Sequence, residues 1–287
     1  SWTHHSPSQI TMPDDIHAFE YFYLSAAERK KKKGNSKMTG GAVVGQSMAQ
    51  LFAKTIYDRD KQKFFENLDS DKFSFVDAAK AYAKYKPISN NDKLEFDNNL
   101  NNIENILQQT VNGIKEIGLS DNIVAEKHVN HTFPGCELPV TGQIDLCDDN
   151  KFIEIKTKWR RRTGKYKSDG TPSFSIVSPK PFDDYYLQTA FYHFATKLKP
   201  YLLIVNENEY QIYTQENCEQ LQENNLKRIA LKIRQTCIRR ERLAQRHMGK
   251  NTWTNDLNLD LSHFKWDNDF KILAEDLWNE NLLTSTK

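Results

Sequence analysis

The stretch Gly142-Gln143-Ile144-Asp145-Leu146-Cys147, then Asp148-Asp149-Asn150, then Lys151-Phe152-Ile153-Glu154-Ile155-Lys156-Thr157-Lys158, decides how this chain is read. Apolar, strand-favouring residues flank a triplet of turn-forming types, which predicts two short strands joined by a tight polar turn. Ile144, Leu146, Phe152, Ile153 and Ile155 call for burial. Side chains alternate faces along a strand, so Glu154 and Lys156 point the same way. Asp145, on the neighbouring strand, reaches the same point if the register allows. Two carboxylates and one ammonium are then expected at one edge of a buried sheet.

Buried charge is costly unless it is paired or holds a metal. The residues alone leave two readings open. One is a structural Asp/Glu–Lys pair at the rim of a sheet. The other is a divalent-metal site for phosphodiester hydrolysis. Carboxylate oxygens suit Mg²⁺ or Mn²⁺, whereas zinc would ask for Cys or His. A lysine beside them can orient or deprotonate the attacking water, or offset charge developing on a phosphate.

In this order the motifs resemble the PD-(D/E)xK nucleases. Gly142 to Asp145 as Gly-x-x-Asp, followed by Glu154-Ile155-Lys156-Thr157, is similar to the RecB-type branch, which carries Gln-x-x-x-Tyr on the following helix. Here that motif is Gln188-Thr189-Ala190-Phe191-Tyr192. The resemblance covers roughly residues 120 to 215. It implies an α/β fold with a central mixed β-sheet flanked by helices, a restriction-endonuclease-like core. It also implies that Asp145, Glu154 and the backbone carbonyl of Ile155 bind one or two Mg²⁺ or Mn²⁺ ions, that Lys156 positions or activates water, and that Gln188 and Tyr192 contact a phosphate or hold the lysine. The resemblance brings to mind small stand-alone exonucleases of phage and mitochondrial genome maintenance. The branch has an upstream helix beginning Gly-x-x-x-His whose His can bind metal. This chain departs from it: the fifth position from Gly41 is Gly45, and Gln46 follows. Gln46 is a candidate extra ligand, or a polar helix residue that helps to place substrate. Some relatives hold an iron–sulfur cluster on four flanking cysteines. No cysteine here precedes Cys136, so no cluster is expected.

The 287 residues suffice for one large domain or two small ones, and 16 Phe, 12 Tyr and 5 Trp can fill a core. No run approaches the roughly 20 apolar residues of a membrane span, so no membrane partner is expected. The polar N-terminal segment does not read as a secretory signal. Cys136, Cys147, Cys218 and Cys237 follow no zinc or disulfide spacing, which points to a reducing compartment: the cytoplasm, or a host cell's cytoplasm if the chain is phage-encoded. The formal net charge of +2 excludes no partner. Basic residues concentrate at Arg29 to Lys33, Lys156 to Lys167 and Lys227 to Arg246.

Three parts are expected, packed as one unit: a mainly helical 1–118, the nuclease core 119–215, and C-terminal helices 216–287. Residues 1–13 read as an irregular arm, and Asp14 or Asp15 as the cap of a helix to about Lys33, with Phe19, Tyr21, Phe22 and Tyr23 in its core face. The five basic residues Arg29 to Lys33 are a solvated face or a phosphate contact. Residues 42–53 read as a buried helix. Residues 55–118 read as helical with breaks near 68–70 and 86–91, one run of apolar spacing extending from Leu94 to Ile117 and ending at Gly118. Ile123 to Phe133 reads as a strand, with Glu126 either near the metal edge or on the rim. Trp159 to Lys167 and the residues on to Pro181 read as a loop. Its Trp159, Arg160, Arg161, Arg162, Lys165, Tyr166 and Lys167 suit single-stranded nucleic acid, with cations on phosphates and rings on bases. An ordinary solvated loop is the alternative. Asp183 to Leu198 reads as a helix stopped by Pro200, Tyr201 to Val205 and Glu209 to Tyr213 as strands, Asn217 to Met248 as one basic helix, and Trp253 onward as mostly helical.

The function expected is metal-dependent DNA hydrolysis on single strands or free ends, more exonuclease than endonuclease. A structure-selective endonuclease and a nucleic-acid-binding module of the same fold without cleavage are the alternatives.

Overall fold

The computed structural model describes residues 3–29, 90–120, 122–247, 251–263, 266 and 268–284. Lys30 to Lys33, the helix expected over 42–53 with Gln46, the breaks near 68–70 and 86–89, Met248 and Phe264 lie outside the described residues. The chain is α/β. Seven strands are described: β1 (Val124–His131), β2 (Val140–Cys147), β3 (Lys151–Thr157), β4 (Arg161–Tyr166), β5 (Pro172–Ser175), β6 (Lys199–Val205) and β7 (Tyr210–Tyr213). Five form a mixed sheet in the order β1-β2-β3-β6-β7, while β4 and β5 pair apart as a ribbon. The described helices are α1 (Asp14–Ala18), α2 (Asn90–Leu100), α3 (Ile103–Ile117), α4 (Asp183–Thr196), α5 (Glu223–Arg246) and α6 (Asn268–Thr284).

Two compact units emerge. One holds residues 90–129 and 143–226; the other holds the N-terminal residues to 29, residues 130–142 and those from 227 on.

The first unit is layered on the sheet. β2 and β3 are antiparallel, with Leu146 opposite Ile153 and Cys147 opposite Phe152. Asp148 closes the turn between them by accepting from Asn150 N–H and Lys151 N–H, both at 2.8 Å. β3 runs parallel to β6 along its whole length, from Lys151 opposite Lys199 to Thr157 opposite Val205. A parallel pair needs a crossover, which α4 supplies. Leu146, Ile153, Leu203 and Val205 bury one sheet face against Ile103, Ile106, Leu107, Val111 and Ile114 of α3. On the opposite face Phe152 meets Tyr192 of α4 edge to face, ring centres 5.9 Å apart. The alternation of β3 therefore directs Ile153 and Ile155 to the α3 side, and Phe152, Glu154 and Lys156 to the α4 side.

The second unit has its own aromatic core. Phe19 lies 5.3 Å from Trp266 and 6.1 Å from Phe270, and Trp253 meets Trp278 edge to face at 4.9 Å. Two consecutive buried residues of α5 tie the N-terminal arm down. Arg240 donates to Asp14 and to the carbonyls of Gln9 and Met12. Glu241 accepts from His5 Nε2 and from the N–H groups of Glu137 and Leu138.

Several boundaries differ from expectation. The helix from Asp14 does not run to Lys33. It passes through a π-helical turn at Phe19–Tyr23 and breaks at Leu24. A new helical start follows, where Ser25 and Glu28 form a reciprocal capping box, Glu28 N–H to Ser25 Oγ and Ser25 N–H to Glu28 Oε2. Arg29, first of the basic run, is spent on the carbonyls of Glu20 and Leu24. The run from Leu94 to Ile117 is two helices, because Asn101 and Asn102 form a turn in which Asn102 Nδ2 donates to Asn98 O. Lys197, at φ 65°, ends α4 before Pro200, and Pro200 itself sits inside β6. The basic helix starts at Glu223, after a 3₁₀ turn at Glu219–Leu221, and the final helix at Asn268. The segment expected as a loop is the β4–β5 ribbon. Gly164 (φ 77°) accommodates its bulge and Gly170 (φ 79°) its turn, conformations that cost a side-chain-bearing residue.

At Gly113 α3 lies close against the sheet: a Cβ there would stand 2.5 Å from Leu203 Cδ1 and 3.2 Å from Tyr210 Cδ2. Leu203 is fully buried, so it has little room to yield. Gly113→Val is expected to lower stability by roughly 1–3 kcal/mol through overpacking. Chemical denaturation of the variant checks this; wild-type stability would mean that α3 is free to shift outward.

Candidate active site

The hairpin brings three of the sequence-selected residues together. Glu154 lies mid-strand in β3 and is buried, 2% exposed, between neighbours on both sides. Its Oε1 accepts from Lys156 Nζ at 2.6 Å. Its Oε2 is buried and has no hydrogen-bond partner. Leaving a charged acceptor so costs on the order of 1–3 kcal/mol or more. Asp145 is half-buried, and its Oδ2 accepts from Ile155 N–H at 2.7 Å. A side chain here takes a main-chain donor of the adjacent strand, which locks Asp145 against β3.

Electrostatics follow from this crowding. Burial first, and then the Asp145 carboxylate, push Glu154 up to about 7. Burial also raises Asp145, against the pull of Lys156 and the Ile155 N–H. Burial acts to lower Lys156, but the Glu154 and Asp145 carboxylates outweigh it and hold the lysine above its ordinary value.

Tyr192 acts on β2. Its hydroxyl donates to Gln143 O at 2.8 Å and accepts from Gln143 N–H at 3.1 Å, satisfying both main-chain groups two residues before Asp145. Burial, and then the nearby Glu154 carboxylate, raise its pKa, so the hydroxyl stays protonated to hold this pair of bonds. Gln188, one turn earlier on α4, is half-buried and makes no side-chain hydrogen bond among the described residues. Glu126 is exposed, at φ 50°, with its carbonyl accepting from Gln143 Nε2.

The basic segment divides. Arg160 is engaged by the Glu207 carboxylate through both Nε and Nη2. Trp159 is half-buried against the α3-side core, its indole N–H on Thr157 Oγ1. Arg162 donates to the Tyr166 hydroxyl at 2.8 Å. Arg161, Lys165, Tyr166 and Lys167 are exposed on the ribbon and its turn.

One neighbour escaped the sequence reading. Lys158 is buried; its Nζ donates to Tyr185 OH at 3.1 Å and lies 3.4 Å from the centre of the Phe182 ring. Burial, with Arg161 and Lys156 nearby, lowers it to about 8. The signal was available: position 158 keeps the parity of 154 and 156 and lies one residue past the end of β3.

Among the described residues no group of three or more His, Cys, Asp or Glu converges. A cation here would rest on Asp145, Glu154 and main-chain oxygen, completed by water, a ligand set that suits Mg²⁺. The unpartnered Glu154 Oε2 and the raised carboxylates fit such an ion.

Comparison with protein-family models, curated proteins and solved structures found no match, so the site is read from its own geometry. That geometry fixes a pH dependence. A carboxyl bound more tightly to its proton when folded than when unfolded makes stability fall as pH rises from its unfolded value, near 4.5, to its folded value, about 7. Glu154→Gln removes this loss. In chelator, the variant is expected to gain stability relative to wild type above pH 7 and to lose that advantage below pH 4.5. Denaturation curves at both pH values check it; a difference independent of pH would place the Glu154 titration elsewhere.

Proposed function

We propose that this chain is a metal-dependent deoxyribonuclease, with a restriction-endonuclease-like core, acting on single strands or free ends of DNA. The observation that carries the reading is the Glu154 carboxylate: buried beside Asp145, bonded to Lys156 through one oxygen, and unpartnered at the other. A buried carboxylate oxygen left without a donor is suited to a further ligand such as a cation. Asp145, Glu154 and the Ile155 carbonyl would hold one or two Mg²⁺ or Mn²⁺ ions. Bound there, such an ion polarises the phosphate and lowers the pKa of its water.

The chain's own groups do the rest. Lys156, held protonated by two carboxylates, supplies positive charge at the phosphate and orients water. Neutralising those carboxylates weakens the upward push on Lys156, which brings it nearer to the range of a proton-transfer group. Tyr192 fixes β2, and with it Asp145. Arg161, Lys165 and Lys167 offer phosphate contacts beside the site, and Tyr166 a stacking surface.

Asp145→Asn and Glu154→Gln are each expected to abolish cleavage of end-labelled DNA while the fold is kept. Lys156→Ala is expected to lower turnover roughly 100- to 10,000-fold. Unchanged turnover of all three at saturating Mg²⁺ would sink the assignment of the site, and absence of cleavage by the wild type would leave a binding module of this fold. A circular substrate left intact separates exonuclease from endonuclease.

The ribbon gives a second measurement. Replacing Arg161, Lys165 and Lys167 by Ala is expected to lower the salt slope of single-strand affinity by about 0.7 for each true phosphate contact. Arg160→Ala is expected to act through stability instead, since Glu207 occupies that guanidinium. Equal slopes for wild type and triple variant would make the ribbon a solvated surface.

A further inference from the structure

The second unit contains a cleft of about 590 Å³ beside α5. That is the size of a small-molecule site. Its wall is one stripe of the helix: Gln235, Arg239, Arg242 and Arg246 recur at spacings of three and four and share a face. Like charges so spaced repel, and each pair costs a few tenths of a kcal/mol in an isolated helix. Two acidic residues offset part of this. Asp14 accepts from Arg239 Nε at 2.5 Å and from Arg240 Nε at 3.1 Å. Asp256 accepts from Arg246 Nη1 at 2.6 Å and from His247 Nε2 at 2.9 Å. Four guanidiniums face two carboxylates, so positive charge remains in excess. Arg242, midway along the stripe and exposed, has no hydrogen-bond or ion-pair partner among the described residues.

The pairing also positions donors. Among the described residues Asp14 holds Arg239 by Nε alone and no partner takes its Nη groups, and Asp256 holds Arg246 by Nη1 with no partner on its other donors. Guanidiniums anchored in this way present forks to an oxyanion at little entropic cost. The floor is different in kind: Ile238, Leu243 and Leu257 are apolar. A small hydrated anion would satisfy the arginines and leave this floor uncovered. A phosphate attached to a planar, partly apolar group would satisfy both.

We propose that this cleft is a nucleotide-binding site. Arg239, Arg242 and Arg246 would take the phosphate, and the base would lie against Ile238, Leu243 and Leu257. Both a free mononucleotide and one unit of a nucleic-acid strand have this chemistry. The assignment concerns binding alone and does not depend on hydrolysis at Asp145 and Glu154.

The test uses the full chain in chelator, so that no cleavage intervenes. Modification of arginines by phenylglyoxal is followed residue by residue by mass spectrometry, with dAMP, a short oligo(dT) or inorganic phosphate present. Protection of Arg242 and Arg246 by dAMP supports a site for free nucleotide. Protection by oligo(dT) but not dAMP supports a site for a strand. Arg242→Glu should then weaken binding of the protecting ligand about tenfold or more, the loss of one charged contact. Arg242 is exposed and has no partner among the described residues, so the fold should survive; circular dichroism verifies it. Equal modification of Arg242 with and without either nucleotide ligand would overturn the proposal. So would protection by inorganic phosphate equal to that by dAMP, because the apolar floor would then have no part.

Discussion

The first unit depends on keeping one carboxylate, Glu154, inside a sheet. A buried charge without full compensation drives local rearrangement unless the backbone around it is over-determined. Here it is. β3 is bound on both sides, by β2 and by the full parallel ladder to β6. Asp145 takes the Ile155 N–H, and Tyr192 takes both main-chain groups of Gln143. Behind the strand, Ile153 belongs to the α3-side core, where Gly113 lets the helix sit against Leu203. Apolar packing on one face thus holds a polar, under-compensated arrangement on the other.

The second unit treats buried charge in the opposite way. Arg240 and Glu241 are consecutive on α5 and both buried, yet each is saturated: Arg240 by a carboxylate and two carbonyls, Glu241 by an imidazole and two N–H groups. Such groups join distant parts of the chain, and removing one partner strands the other. Burial and the Arg240 charge lower His17 far below its ordinary value, so this histidine is neutral. The contrast matters. Both oxygens of the buried Glu241 carboxylate have partners, whereas at Glu154 one is left idle.

The hairpin was legible because its signals were local. Alternation, turn residues and the parity of Glu154 and Lys156 all act within a few residues, and the structure has Asp145, Glu154 and Lys156 at one locus. Features set by longer-range partners were not. The fate of Arg160 depends on Glu207, 47 positions away, so its charge looked free in sequence. Trp159 looked like a stacking ring because the core that half-buries it is assembled from α3 and β6. The β4–β5 ribbon was hidden because glycines that suggest a loop also permit the bulge and turn of a short ribbon. Lys158 was passed over as one more cation in a basic run, although Phe182 and Tyr185 that enclose it come from the start of the crossover helix and the residue before it.

Lys158 completes the charge pattern on this edge of the sheet. Two carboxylates lie at one end. Lys156 follows, bonded to Glu154, and Lys158 next, without a carboxylate of its own among the described residues and lowered by burial, Arg161 and Lys156. Arg161 opens the ribbon just beyond. Negative charge thus gives way to positive from β2 and β3 to the start of the ribbon. A wholly acidic cleft would repel a phosphodiester, and a wholly basic one would hold it without drawing a cation to it. On the proposed reading a graded site would do both, with a cation offsetting the carboxylates and the lysines meeting the phosphate oxygens. The aromatic enclosure of Lys158 has a further consequence. It keeps that ammonium at a fixed position, poorly hydrated, so that an arriving anion need displace little water from it. On the proposed reading, the cost of burying Lys158 without a counter-charge is recovered when the substrate supplies one.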